Sequence, residues 1–151
     1  MTLIYPFDTL ICNAGLSYEA PTRRTDDGFE QTFGVNHLGH FTLSVLLYNK
    51  FSSSLKNISI VSSSLHYPDK SKGVFPNPNI IDLKLLAHPN DENISDWQHE
   101  GRLRYIHSKL CNLLFAYELS RKVKNVNINA LNPGFIPNTN LNRDTNFLRN
   151  S

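Results

Sequence analysis

Glycine is scarce in this chain of 151 residues: there are 7. None stands in a Gly-x-Gly-x-x-Gly arrangement, so the sequence offers no glycine-rich turn to cradle a pyrophosphate at a helix N-terminus. Cysteine is equally sparse. Cys12 and Cys111 lie far apart and fit no metal-ligand spacing, which points to reduced thiols in the cytoplasm or a plastid stroma, with no metal site. No apolar run reaches the roughly 18–20 residues of a membrane span. The first residues, Met1-Thr2-Leu3-Ile4-Tyr5-Pro6, lack a basic stretch followed by a long apolar one, so no secretory leader is expected. Charge of one sign is not in excess either. The net charge is +2 without a basic run, which argues against nucleic acid or an anionic membrane as partner.

What is present has a globular balance, with 40% hydrophobic and 19% charged residues. The length suits one domain with a real core. Three short apolar runs read as strands ending in turn formers. Thr9-Leu10-Ile11-Cys12 stops at Asn13-Ala14-Gly15, Ile58-Ser59-Ile60-Val61 stops at a run of serines, and Val126 to Leu131 stops at Asn132-Pro133-Gly134. Two longer stretches read as helices. One runs from about Asp26 to Phe51, with Phe29, Phe33, His37 and Phe41 at i+4 spacing and Thr25, Asp26 and Asp27 as capping groups. The other runs from about Leu103 to Lys124, with a stripe of Ile106, Leu110, Leu113, Leu114 and Tyr117. Between the second strand and this helix lies an excursion at about 65–102, with Pro68, Pro76, Pro78 and Pro89 and at most a short helix near Ile81–Ala87. Such a loop either shapes a pocket or decorates the surface. The order strand, helix, strand, helix, strand predicts an α/β fold with a parallel sheet, in which ligands sit at the carboxyl ends of the strands.

Tyr105 and Lys109 are four residues apart on a predicted helix and so share a face. An ammonium beside a phenol favours the phenolate, which suits general acid–base chemistry. Alone the pair is weak, because such spacings arise by chance. Ser63 strengthens it: a hydroxyl at a strand end can donate to a substrate oxygen as charge develops, although a serine there can equally cap a turn. Asn36 stands mid-helix between Gly34 and Gly39. All three are poor helix formers, so a local break that frees a backbone carbonyl is expected.

Five motifs now stand in order: Cys12-Asn13-Ala14-Gly15, Val35-Asn36-His37-Leu38-Gly39-His40-Phe41, Val61-Ser62-Ser63, Tyr105-Ile106-His107-Ser108-Lys109 and Asn132-Pro133-Gly134. Together they closely resemble the short-chain dehydrogenase/reductase family, from about residue 6 to residue 144. Arg24 to Glu30, Ser108 to Leu114, Pro133 to Leu141 and the long gap between Ser63 and Tyr105 resemble the branch of light-dependent protochlorophyllide reductase and the retinol-dehydrogenase-like enzymes. Ser62-Ser63-Ser64-Leu65-His66 looks more like the retinol-dehydrogenase side.

The resemblance implies a Rossmann-type, doubly wound parallel sheet. Residues 1–151 would form a single incomplete domain, covering about the family's fourth to sixth strands. It implies an NADP(H)-dependent oxidoreductase, with NAD left open, that transfers hydride to a double bond or carbonyl. Tyr105 would be the proton donor. Lys109 would lower its pKa and hold the nicotinamide ribose, Ser63 would orient the reacting group, and Asn36 would hold a water in a relay to Lys109. Asn13, Ala14 and Gly15 would line the cofactor crevice, and Pro133, Gly134, Ile136 and Thr139 would border the nicotinamide. Cys12 matches a cysteine of the protochlorophyllide reductases, or is simply a buried strand residue. The substrate would be a small hydrophobic molecule: a tetrapyrrole, a retinoid-like compound or another carbonyl compound. Relative to the family pattern the phosphate cradle and the C-terminal substrate portion are missing. The strand Leu10–Cys12 would therefore be an edge open to pairing with another chain. The alternative is a non-catalytic truncated remnant, or pseudoenzyme, that cannot bind cofactor alone.

Overall fold

The computed structural model describes residues 7–67, 76–79, 82–134, 136, 139 and 141. Pro68, Ile81 and the asparagine-rich stretch beyond Leu141 lie outside them. Strands β1 (Thr9–Cys12), β2 (Asn57–Val61) and β3 (Asn127–Leu131) form one parallel sheet in the order β1-β2-β3. Leu10, Ile58 and Ile128 lie in one row across it, and Cys12, Ile60 and Ala130 in another. Successive side chains alternate between faces, so both rows share a face. Helix α4 (Trp97–Lys122) packs there, placing Phe115, Ala116 and Leu119 against Cys12, Leu55, Ile58 and Ile60. Each fully buried aliphatic side chain contributes roughly 1.5–3 kcal/mol.

The opposite face is polar. Asn127 Nδ2 donates to Asn57 Oδ1 at 3.1 Å, and Asn57 Nδ2 donates to Thr9 Oγ1 at 3.4 Å, a rung of side-chain bonds across all three strands. The strict alternation Asn57-Ile58-Ser59-Ile60 is therefore two-sided, with one face on the core and one toward water.

The first helical segment begins later than expected. Thr25 to Gly28 make a turn instead, with Gly28 N–H donating to the Thr25 carbonyl and Gly28 at φ 83°. Arg24 and Glu30 pair as a short antiparallel bridge. Helix α1 (Gln31–Phe33) starts beyond them, capped by the Glu30 carboxylate, which accepts from Thr32 N–H at 2.9 Å and Phe33 N–H at 2.6 Å. A π-turn, Gly34–Leu38, follows, and then helix α2 (Gly39–Phe51).

Helix α4 starts before the expected Leu103. Asp96 caps it, accepting from His99 N–H at 3.0 Å. Gly101 lies within its first turns. A Cβ at this position would overlap the Tyr18 carbonyl oxygen, so the missing side chain lets α4 meet residues 18–19 backbone to backbone. Arg102 closes the same contact by pairing with Glu19 at 2.9 Å.

The excursion is anchored where it is described. Helix α3 (Leu83–Ala87) lies within it, and the Ala87 carbonyl accepts from Glu30 N–H. Asp91 is the main fastening. It accepts from Thr22 Oγ1 at 2.6 Å and pairs with Arg104 at 3.2 Å and Arg24 at 3.4 Å. Among the described residues no helix is long and apolar enough to cross a membrane.

Candidate active site

The end of β2, the π-turn and the middle of α4 converge on one corner. The expected helix break is there: the π-turn carries Asn36 inward, fully buried. The side chain of Asn36 has a structural task. Its Oδ1 accepts from Leu16 N–H, and its Nδ2 donates to the Leu16 carbonyl and, at 3.0 Å, to Ser108 Oγ. The Asn36 backbone carbonyl accepts from Asn112 Nδ2 at 2.9 Å and from His40 Nδ1 at 3.0 Å. This corrects the expectation of a free carbonyl, since its acceptor positions are taken by two side chains.

Tyr105 and Ser63 lie on the same side of the sheet and interact. Burial, the larger effect, pushes the Tyr105 phenol above its usual range, and a hydrogen bond with the Ser63 hydroxyl pulls the other way. Lys109 does not set the direction of this shift. The Lys109 ammonium stands 5.6 Å from the Tyr105 ring centroid and donates to the Val61 carbonyl at 3.2 Å. Burial lowers Lys109 itself to about 8, because a charge is costly away from water. Ser63 also caps the following 3₁₀ turn, Ser64–His66, accepting from Leu65 N–H at 3.3 Å. The turn-capping reading of that serine is thus seen directly. Its neighbour Ser62 donates to the Lys109 carbonyl at 2.7 Å.

Asn112 is the residue the sequence reading missed. It is fully buried, and its Nδ2 donates to the carbonyls of both Asn36 and Val61 while its Oδ1 accepts from His37 Nδ1 at 3.0 Å. One amide thus ties the π-turn, the strand end and α4 together. The available signal was spacing: Tyr105, Ser108, Lys109 and Asn112 make a polar stripe at i, i+3, i+4 and i+7. Burial lowers His37 and His40 below the usual imidazole value, consistent with neutral rings donating from Nδ1.

Gly15 is half-buried beside this corner. A Cβ there would sit 3.4 Å from Asn36 Oδ1 and 3.6 Å from Lys109 Nζ. The bare backbone leaves a slot next to the ammonium, and the donor set fits the nicotinamide-ribose end of a dinucleotide. Asn13 and Ala14 are exposed at the strand end, as are Pro133, Gly134, Ile136 and Thr139 beyond β3. The structure brings Gly15 to Lys109 and Asn36, and it leaves the post-β3 residues on the surface. Cys12 is buried, its Sγ 3.4 Å from Ser44 Oγ, a packing role.

A cleft of about 170 Å³ adjoins the corner through Ser63. Leu113, Ala130 and Leu131 supply apolar walls, and Ser64, His66 and Asn132 supply polar ones.

No family model matches the chain. Individual relatives do. Human retinol dehydrogenase 14 is 39% identical over 138 residues, which is 90% of this chain and 36% of that protein. The WW domain-containing oxidoreductase of Danio rerio is 38% identical over 141 residues, 91% of this chain and 32% of the relative. Short-chain dehydrogenase TIC 32 A, chloroplastic, of Brassica napus is 33% identical over 161 residues, all of this chain and 43% of that protein. The chain thus spans well under half the length of these relatives. Among solved structures, a short-chain dehydrogenase from Sphingobium yanoikuyae in complex with NADPH superposes with TM-score 0.52 at 16% identity, over 82% of this chain and 39% of that one. One from Burkholderia vietnamiensis gives 0.51 at 14% identity, over 88% and 50%. The ordered motifs, the parallel sheet that carries them and these relatives lead to one placement: the chain belongs to the short-chain dehydrogenase/reductase family.

Proposed function

We propose that this chain serves an oxidoreductase that moves a hydride between NADP(H) and an alcohol or carbonyl compound with an apolar body. The observation that carries the reading is that Ser63, Tyr105 and the buried Lys109 meet at one corner, with the Ser63 hydroxyl close enough to pull on the phenol and Lys109 Nζ 5.6 Å from the Tyr105 ring centroid. The cofactor, when bound, supplies or accepts the hydride. Tyr105 donates its phenolic proton to the carbonyl oxygen as negative charge develops on it, and Ser63 donates a hydrogen bond to the same oxygen. The nearby Lys109 ammonium then favours the tyrosinate until solvent returns the proton. Asn13, Ala14, Gly15, Pro133, Gly134, Ile136 and Thr139 would border the nicotinamide end. Asn36 and Asn112 position the corner, and any water relay to Lys109 would need the Asn36 carbonyl to release one of its present partners.

The retinol dehydrogenases among the relatives support alcohol and carbonyl substrates over the tetrapyrrole double bond. A cytoplasmic or stromal location is in keeping with the two thiols and the chloroplastic relative. The remnant reading rests on a different observation, the lack of a glycine-rich cradle within these 151 residues. For that reason the chain alone is expected to bind NADPH weakly.

The test uses the chain alone and a chimera in which residues 7–141 replace the matching segment of human retinol dehydrogenase 14. Loss of reduced-cofactor absorbance is followed with benzaldehyde and retinal. In the chimera, Tyr105→Phe is expected to lower turnover by roughly 10²–10⁴-fold with the unfolding midpoint unchanged. Retained turnover overturns the proton-donor role. A folded chimera that binds NADPH without turning over favours the remnant.

A further inference from the structure

The space over Gly15 is smaller than a sugar. The atoms nearest to the point its Cβ would take are Asn36 Oδ1 at 3.4 Å, Lys109 Nζ at 3.6 Å and Leu141 Cδ1 at 3.7 Å. Those are ordinary packing distances, so the space admits a methyl group and nothing as large as a ribose. One of the three has to leave before a sugar can reach the ammonium from this side. Asn36 is tied to Leu16 and Ser108 by three hydrogen bonds. Lys109 donates to the Val61 carbonyl at 3.2 Å, and its own carbonyl accepts from Ser62 Oγ at 2.7 Å. Leu141 is half-buried and is fastened by a backbone hydrogen bond, Ser17 N–H donating to its carbonyl at 3.0 Å. Its side chain is therefore the one that yields most readily. An apolar group beside an ammonium also takes the place of water, which disfavours the charge. Lys109 shows that effect, held by burial at about 8 against an ordinary 10.5.

We propose that Leu141 is a built-in plug between Gly15 and Lys109, which the nicotinamide ribose displaces when the cofactor binds. The inference rests on the oxidoreductase reading for the identity of the displacing group. It adds an autoinhibitory contact made by the chain itself. Only the fraction of molecules with the Leu141 side chain swung out can take the sugar, so the apparent affinity is lowered by that fraction. The apolar burial that Leu141 gives up sets the size of the penalty. Displacement also replaces a hydrocarbon neighbour of the ammonium with hydroxyl oxygens, which can accept hydrogen bonds from Lys109 Nζ.

The experiment uses the full chain with its lysines labelled at Cε for NMR. The probe is reduced nicotinamide mononucleotide, which carries the nicotinamide ribose without the pyrophosphate and so does not depend on a glycine-rich cradle. Its fluorescence reports binding. The Lys109 signal is assigned by its disappearance in Lys109→Met. Leu141→Ala is expected to bind the probe about fivefold more tightly than the unsubstituted chain, the factor that giving up a half-buried leucine supplies. The Lys109 titration midpoint should rise from about 8 toward 10.5 in the same variant, since water replaces the missing methyl groups. The other ionisable groups near the ammonium, Tyr105 and His40, are left in place. Leu141→Met, close to leucine in volume, should match the unsubstituted chain in both readouts. Binding that Leu141→Ala does not tighten overturns the plug and leaves hydride transfer standing. Tighter binding with an unmoved Lys109 midpoint also overturns it, because Leu141 would then act away from the ammonium. A probe that binds no variant strikes the dinucleotide reading itself, and the plug falls with it. Should Leu141→Ala fail to fold, Leu141→Val gives the same comparison with a smaller change in volume.

Discussion

The corner where α4 meets the end of β2 buries Asn36, Ser108 and Asn112 completely, whereas Ile11 on β1 and Leu46 on α2 are 63% and 62% exposed. Polar groups lie inside at one place, and apolar groups lie outside at the other. The corner is self-sufficient: Asn36 and Asn112 each satisfy their amides within the chain. The outer edge is not. β1 pairs with β2 on one side, and no strand described here pairs with the other. Leu43 of α2 and Leu114 and Tyr117 of α4 are exposed as well. The contrast teaches that the reactive corner can keep its geometry without a neighbouring strand, while the edge and outer helix faces are where a neighbour would act.

The strongest test of that division is Asn112→Leu. It removes the amide from the Asn36 and Val61 carbonyls and from His37 together. A destabilisation of about 3 kcal/mol is expected in urea unfolding, since buried partners are left short of hydrogen bonds. A cost under about 1 kcal/mol would mean the network is looser than its geometry. Next comes Gly101→Ala. The new methyl has to displace the Tyr18 carbonyl, and backbone does not yield as a flexible side chain does. A loss of about 2 kcal/mol is expected, and an unchanged midpoint would count against the close contact.

The two regions also differ in pH response, because the corner holds Lys109, His37 and His40 out of water. Lys109 has a folded value of about 8 against an ordinary 10.5. Between those values the unfolded chain binds the extra proton, so stability rises with pH. From pH 8 to 9 the slope approaches about 1.4 kcal/mol per unit. Above pH 9 Cys111, raised from 9.0 to about 11, acts with the opposite sign, since the unfolded chain gives up its thiol proton first. On the acid side burial lowers His37, His40 and His107 below 6.5. The unfolded chain takes up protons first there, and stability falls as pH drops below that value. Lys109→Met should lose the rise between pH 8 and 9 and keep the acid-side fall. A wild-type profile flat across pH 8–9 would mean that Lys109 is hydrated.

Much of this contrast could be read in the sequence, and the reasons it was incomplete are physical. The three strands were legible because β-rich apolar runs ending in Asn-Ala-Gly, serines and Asn-Pro-Gly are strong local signals. Tyr105, Lys109 and Ser63 were legible by spacing and position. Helix starts were not, because Thr25, Asp26 and Asp27 look like caps until Gly28 turns the chain and Glu30 takes the role. The role of Gly101 was not legible, because only the tertiary contact with Tyr18 gives its missing side chain a purpose. The direction of the Tyr105 shift depends on burial against Ser63, and pairwise spacing carries no measure of burial.

The smallest effect on stability, and the sharpest on behaviour, is expected for Ile11→Lys. The side chain already stands in water, so its replacement should shift unfolding by no more than about 0.5 kcal/mol. An unpaired apolar edge nevertheless invites another chain to extend the sheet, and an edge lysine blocks that pairing by charge. Sedimentation should therefore show concentration-dependent association of the unsubstituted chain that Ile11→Lys reduces, with Leu46→Glu making a further, independent reduction if the α2 face takes part. The row partner of Ile11 on β2 is Ser59, so the lysine meets a polar neighbour on its own face and not the core. If instead Ile11→Lys unfolds the chain while leaving no trace of association to lose, the outer face of β1 is part of a packed interior, and the division between a self-sufficient corner and an edge in need of a neighbour fails.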